Sequence, residues 1–162
     1  MKHILLHNEQ DTKKLAQDIA ASTVPRDVFL LTGDLGAGKT TFTKGFALGL
    51  GIQQMIKSPT YTLIREYDTG RIPLYHMDVY RLTEGAEDLG LEDYFDGDGV
   101  CIIEWGKMIK QNIDVPYLEF FLDKIDETTR SFSIAVDSPD SQNKLDSLVK
   151  YLTDKGWLFD GL

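Results

Sequence analysis

The octapeptide GDLGAGKT, residues 33–40, constrains this chain more than any other stretch. It follows the apolar run VFLL, of buried-strand type, and leads into a segment with apolar residues at helical spacing. Glycine has no Cβ, so a turn rich in it can wrap closely around a ligand and point successive N–H groups inward. The unsatisfied N–H groups at the start of the following helix extend that nest for anionic oxygens. The pattern GxxxxGK[ST] between strand and helix therefore predicts a polyphosphate cradle.

Gly33, Asp34, Leu35, Gly36, Ala37 and Gly38 form the main chain of that cradle. Lys39 brings a point charge to the β and γ phosphates of a nucleotide such as ATP. The Thr40 hydroxyl suits the magnesium ion that bridges them, and Thr41 suits the α phosphate. Asp34 is the odd member: it either points away from the phosphates or joins the water shell of the metal.

Such a loop needs a carboxylate at the end of a neighbouring strand to hold magnesium through water. Asp78, in PLYHMDVYR, and Glu104, in VCIIEWG, both follow apolar strand-like runs. Strand alternation puts His76, Asp78 and Tyr80 on one face. An acid in so apolar a run needs a partner, and a metal ion or Arg81 would serve. Glu104 suits either the metal shell or the role of general base toward a water aimed at the γ phosphate. His76 reads as a satisfied core histidine. Trp105 reads equally as a nucleotide neighbour or a core residue. In KSPTYTL (57–63), Thr60 and then Ser58 are candidates for a switch that brings a hydroxyl to the γ phosphate and metal. A strand-entry turn built on Pro59 is the plainer reading.

Elsewhere the pattern predicts a strand at 3–6 and a helix at 11–21 capped by Asp11 or Thr12. The cradle helix runs over 40–50 and stops at Gly51. A hairpin joins 60–67 to 72–80 across DTGR, and one or two short helices cover 83–95. A buried strand follows at 99–104, and a second hairpin joins 117–122 to 130–136. A last helix spans about 140–155. Helices and strands that alternate early, with antiparallel pairs later, predict a three-layer α/β fold with a mixed parallel and antiparallel sheet. With the cradle, this is a P-loop NTPase-like domain spanning 1–162.

A net charge of −9 argues against a broad polyanion-binding surface. The single cysteine, Cys101, excludes an internal disulfide and reads as a buried structural thiol. No secretory signal or bilayer-length apolar stretch is present, so the cytoplasm is expected and a membrane is not.

The series GDLGAGKTTF, KSPTYTL, YHMDVYR and IIEWG, in this order and spacing, resembles the bacterial TsaE (YjeE) family across about 28–106. The resemblance implies a magnesium-dependent P-loop ATPase in the synthesis of threonylcarbamoyladenosine on tRNA. It implies TsaD and TsaB as partners, with tRNA reached only through them and hydrolysis slow in isolation. It places phosphates on Lys39, magnesium on Thr40 and Glu104, and a Walker B-like acid at Asp78. The switch falls at 58–61, and Trp105 lies beside the nucleotide. The tail KGWLFDGL is not matched; it packs on the domain or touches a partner. The competing reading is a small-molecule or nucleoside kinase in which Arg65, Arg71 and Arg81 clamp an acceptor. A non-enzymatic nucleotide sensor is the third. A GTPase is disfavoured because no Asn-Lys-x-Asp signature is present.

Overall fold

The computed structural model describes residues 2–57, 64–79, 90–106 and 109–160. In chain order its strands are β1 (His3–Leu6), β2 (Val28–Thr32), β3 (Ile64–Tyr67), β4 (Leu74–Asp78), β5 (Val100–Glu104), β6 (Leu118–Lys124) and β7 (Arg130–Val136). Its α-helices are α1 (Glu9–Ser22), α2 (Lys39–Gly49), α3 (Leu91–Phe95) and α4 (Gln142–Asp154). The described strands form one sheet in the order β1-β7-β6-β2-β5-β4-β3. The inner pairs β6/β2, β2/β5 and β5/β4 are parallel; β3/β4, β6/β7 and β1/β7 are antiparallel. The mixed α/β sheet and both expected hairpins are therefore present.

The sheet is buried on both faces, which is why β2 and β5 read as unbroken apolar runs rather than alternating ones. On one face Phe29, Leu31, Val100 and Ile102 meet α1, α2 and α4 through Leu15, Phe42, Phe46 and Leu148. On the other, Val28, Leu30, Cys101 and Ile103 meet Leu91 and Phe95 of α3. Cys101 lies in this second core, where burial pushes its thiol up to about 12, so it stays protonated and inert.

Under α2, Phe29 stacks on Phe120 with centroids 4.7 Å apart, and Phe42 stacks on Phe132 at 6.0 Å. Each such pair adds about 0.5–1.5 kcal/mol beyond its buried area. This aromatic seat fixes the helix that starts at the glycine turn. The far end of α2 closes in a Schellman turn: Gly51 N–H donates to Leu48 O and Ile52 N–H to Ala47 O.

Two local expectations are corrected. Helix α1 starts earlier than its apolar spacing indicates, and its cap is Asn8 rather than Asp11 or Thr12. Asn8 Oδ1 accepts from Asp11 N–H (2.9 Å), while Asp11 Oδ2 accepts from His7 N–H (2.9 Å). The tail packs on the body of the protein. Trp157 Nε1 donates to Asp18 Oδ2 (2.8 Å), and Trp157 and Phe159 lie against the α1 side of the core. Asp160 and His3 exchange two main-chain hydrogen bonds of 2.7 Å. Residues 80–89 and 58–63 lie outside the described residues, as do the expected early part of the 83–95 helix and the start of the 60–67 strand. Among the described residues no helix is long and apolar enough to cross a membrane.

Helix α1 approaches α2 closely where α2 carries glycine. A Cβ on Gly45 would lie 2.5 Å from Lys13 O and 2.7 Å from Lys13 Cα. Gly45→Ala should therefore destabilise the protein by about 1–3 kcal/mol through overpacking. That cost outweighs the helix-propensity gain of about 1 kcal/mol. Urea unfolding measures it, and a variant as stable as the parent contradicts this packing.

Candidate functional site: a phosphate cradle at the strand ends

The parallel strands β2, β5 and β4 end side by side. Leu31 lies opposite Glu104, and Glu104 opposite Asp78. Chain leaving β2 folds into the glycine turn and enters α2 directly above those ends, the usual place for a ligand in an open α/β sheet. The turn can pass there because residue 33 lacks a side chain: a Cβ on Gly33 would stand 2.5 Å from Leu122 O on β6. Gly36 and Gly38 have φ of +83° and +103°, which side chains disfavour.

Helices α1 and α2 start differently. Asn8 caps α1, whereas no side chain caps α2, which begins after left-handed Gly38. The first-turn amides of α2 have no partner within the helix. They face a cavity of about 640 Å³ lined by Gly36, Gly38, Lys39, Thr40, Thr41, Asp78, Glu104 and Trp105. That volume lies within the range of about 300–1,000 Å³ typical of small-molecule sites. Leu35 also lines it, although its side chain is almost fully exposed. Gly33, Asp34 and Ala37 do not line it. Asp34 is exposed and its carbonyl accepts from Ala37 N–H (3.0 Å), which closes a turn within the loop.

Lys39 is buried and held from three sides. Its Nζ donates to Gly33 O (2.7 Å), stands 3.9 Å from Glu104 Oε1, and lies 4.2 Å from the Trp105 ring centroid. Burial pulls the ammonium below its ordinary value; the charges of Glu104, Asp78 and Asp34 oppose that shift. Glu104 is also buried, a costly place for a carboxylate without partners. Beyond Lys39 it has His76: Nε2 lies 2.6 Å from Glu104 Oε2. A carboxylate only accepts, so His76 Nε2–H is the donor. Trp105 follows at φ +60°, unusual for a bulky residue and held at a cost of about 1–3 kcal/mol. That turn brings the indole back over the lysine.

The expected residues Lys39, Thr40, Thr41, Asp78, Glu104 and Trp105 thus converge on one cavity. Ser58 and Thr60 lie outside the described residues, as does Arg81. His76 is buried as expected but is not the fully satisfied core residue expected of it: Nε2 grips Glu104, while Nδ1 has no hydrogen-bond partner among the described residues. Its placement two residues before Asp78 on the same face was the available signal. The sequence gives no warning of the opposite wall: Asn8, Glu9 and Thr12 from the start of α1, with Glu127, Thr128 and Arg130 from the β6–β7 turn. The arginine clamp needed for an acceptor kinase is not assembled by Arg71. Its Nη2 donates to Ala20 O and Thr23 O at the end of α1. Arg65 borders a different depression, beside Gln54 and Lys57.

Comparison with known proteins agrees with this architecture. Residues 6–132 match the family model described as "Threonylcarbamoyl adenosine biosynthesis protein TsaE". A tRNA threonylcarbamoyladenosine biosynthesis protein TsaE of Bacillus subtilis is 49% identical over 126 residues, covering 78% of this chain and 80% of that protein. The protein of the same name from Rickettsia felis is 40% identical over 152 residues, covering 92% and 85%. The crystal structure of Bacillus subtilis YdiB superposes with a TM-score of 0.79 at 38% identity, covering 93% of this chain and 97% of that one. A glycine turn, an uncapped helix and two strand-end acids in this order, together with matches of this extent, lead to one conclusion: the chain belongs to the TsaE family.

Proposed function

We propose that this protein is a cytoplasmic, single-domain, magnesium-dependent ATPase of tRNA threonylcarbamoyladenosine synthesis, and that it acts on a TsaD–TsaB complex. The observation that carries the nucleotide reading is the uncapped start of α2, with Lys39 beside it and Asp78 and Glu104 on adjoining strand ends. The names of the relatives supply the pathway.

In this reading the amides of the loop and of the first turn of α2 bind the phosphates, and Lys39 adds its charge. Arriving oxyanions replace the Gly33 carbonyl as the lysine's acceptor. Thr40, Asp78 and Glu104 offer hard oxygen donors, the set magnesium takes. Among the described residues no group of three or more His, Cys, Asp and Glu side chains could hold a metal alone. The donor set therefore fits an ion that enters with its nucleotide and takes further ligands from phosphate and water. When bound, magnesium supplies charge neutralisation between the phosphates. Glu104 is pinned through Oε2 by His76, which leaves Oε1 on the lysine side. From there it can order a water and accept its proton. Trp105 shields the lysine from solvent.

Lys39→Ala should weaken MgATP binding about ten- to a hundredfold, the loss of one charged hydrogen bond. Glu104→Ala should keep binding within a few-fold while turnover falls by about 10²–10⁴. Titration calorimetry and phosphate release measure these effects. Adding TsaD and TsaB should raise wild-type turnover by at least about tenfold, a barrier change of about 1.4 kcal/mol. Unchanged turnover with both partners, or normal turnover by Glu104→Ala in the complex, contradicts the assignment.

Trp105 and Trp157 are the two tryptophans, and only Trp105 lines the cavity. MgATP should change the intrinsic fluorescence of the wild type and of Trp157→Phe, but not that of Trp105→Phe. An unchanged response in Trp105→Phe places the nucleotide elsewhere.

The net charge of −9 supports tRNA contact through the partners rather than directly. An electrophoretic shift at about 0.15 M salt should show no tight complex between tRNA and the isolated protein; a tight one refutes this.

A further inference from the structure

Arg130, the first residue of β7, joins the phosphate loop to the β6–β7 turn through main-chain carbonyls alone. Nε donates to Ala37 O (3.1 Å) and Nη2 to Gly36 O (3.1 Å). Nη1 donates to Asp126 O (2.8 Å) and Thr129 O (3.1 Å). Among the described residues no carboxylate forms an ion pair with it. A planar guanidinium spreads five donors over three nitrogens in a fixed fork; the three donors of an ammonium share one nitrogen and cannot reproduce that geometry. The turn is shaped for this. Asp126 Oδ1 accepts from Thr128 N–H (3.0 Å) and Thr129 N–H (2.8 Å), which brings the turn's carbonyls onto Nη1.

The contact fixes the loop's amides indirectly. In a trans peptide, C=O and N–H point in opposite directions. Holding Ala37 O on Arg130 therefore sets the direction of Gly38 N–H, the last amide before α2. Holding Gly36 O sets that of Ala37 N–H, which meets Asp34 O.

We propose that Arg130 is the positioning residue of the phosphate cradle: its guanidinium clamps the outward carbonyls of Gly36 and Ala37 to the β6–β7 turn and so pre-forms the loop before nucleotide arrives. This rests on the nucleotide reading above for its effect on binding, but not for its effect on the empty loop. Arg130 also lines the cavity, so the rival account is a direct charge contact with phosphate. Lysine would preserve that contact but not the clamp.

The test compares wild type with Arg130→Lys, Arg130→Met and Asp126→Ala. Amide hydrogen exchange over residues 33–41 is measured without nucleotide, MgATP affinity by calorimetry, and folding by thermal unfolding. Both Arg130 variants should speed exchange in the empty loop and weaken MgATP by about tenfold or more. Turnover at saturating nucleotide should change far less. Asp126→Ala lies outside the cavity lining and should shift exchange and affinity in the same direction by a smaller factor. It keeps the idea testable if an Arg130 variant fails to fold. If Arg130→Lys retains wild-type exchange and affinity, or binds normally where Arg130→Met does not, the clamp is refuted. If exchange responds as expected but the wild type binds no MgATP, the clamp stands and the nucleotide reading falls.

Discussion

The structure depends on a helix whose first turn is left without a side-chain cap at the end of a buried parallel strand. Exposed amides at a helix start are ordinarily satisfied by a residue such as the Asn8 that caps α1. At α2 that residue is Gly38, and the amides open onto a cavity instead. The aromatic stack of Phe29, Phe42, Phe120 and Phe132 is one support of that helix. The close approach of α1, which forms part of the cavity wall, is another.

The charges of the site form a linked set rather than isolated groups. Lys39 would be costly to bury alone, as would Glu104; together they offset part of that cost, and His76 satisfies the second carboxylate oxygen. Removing Glu104 takes the carboxylate from both Lys39 and His76; removing either of those leaves Glu104 with the other alone. The loop is thereby tied through Glu104 to both β4 and β5.

Sequence legibility followed the range of the causes. The glycine turn between β2 and α2, and the places of Asp78 and Glu104, were legible because strand, turn and helix signals are local and the acids stand at the ends of apolar runs. Both hairpins were legible from turn chemistry. Asn8 was missed because it precedes the apolar periodicity of α1, and a cap is defined by where amides end. His76 was read as a core residue because the carboxylate it meets lies 28 positions away on the next strand. Arg130 could not be read at all, since its partners are carbonyls, which every residue carries.

The exchange between His3 and Asp160 has a further consequence. His3 belongs to β1, the outermost strand on its side of the sheet, and its outward main-chain groups would otherwise be open to pairing. The returning tail, anchored by Trp157, blocks that border at its start. A short irregular segment thereby takes up the first pairing position on that border, and it brings the two ends of the described chain within reach of each other.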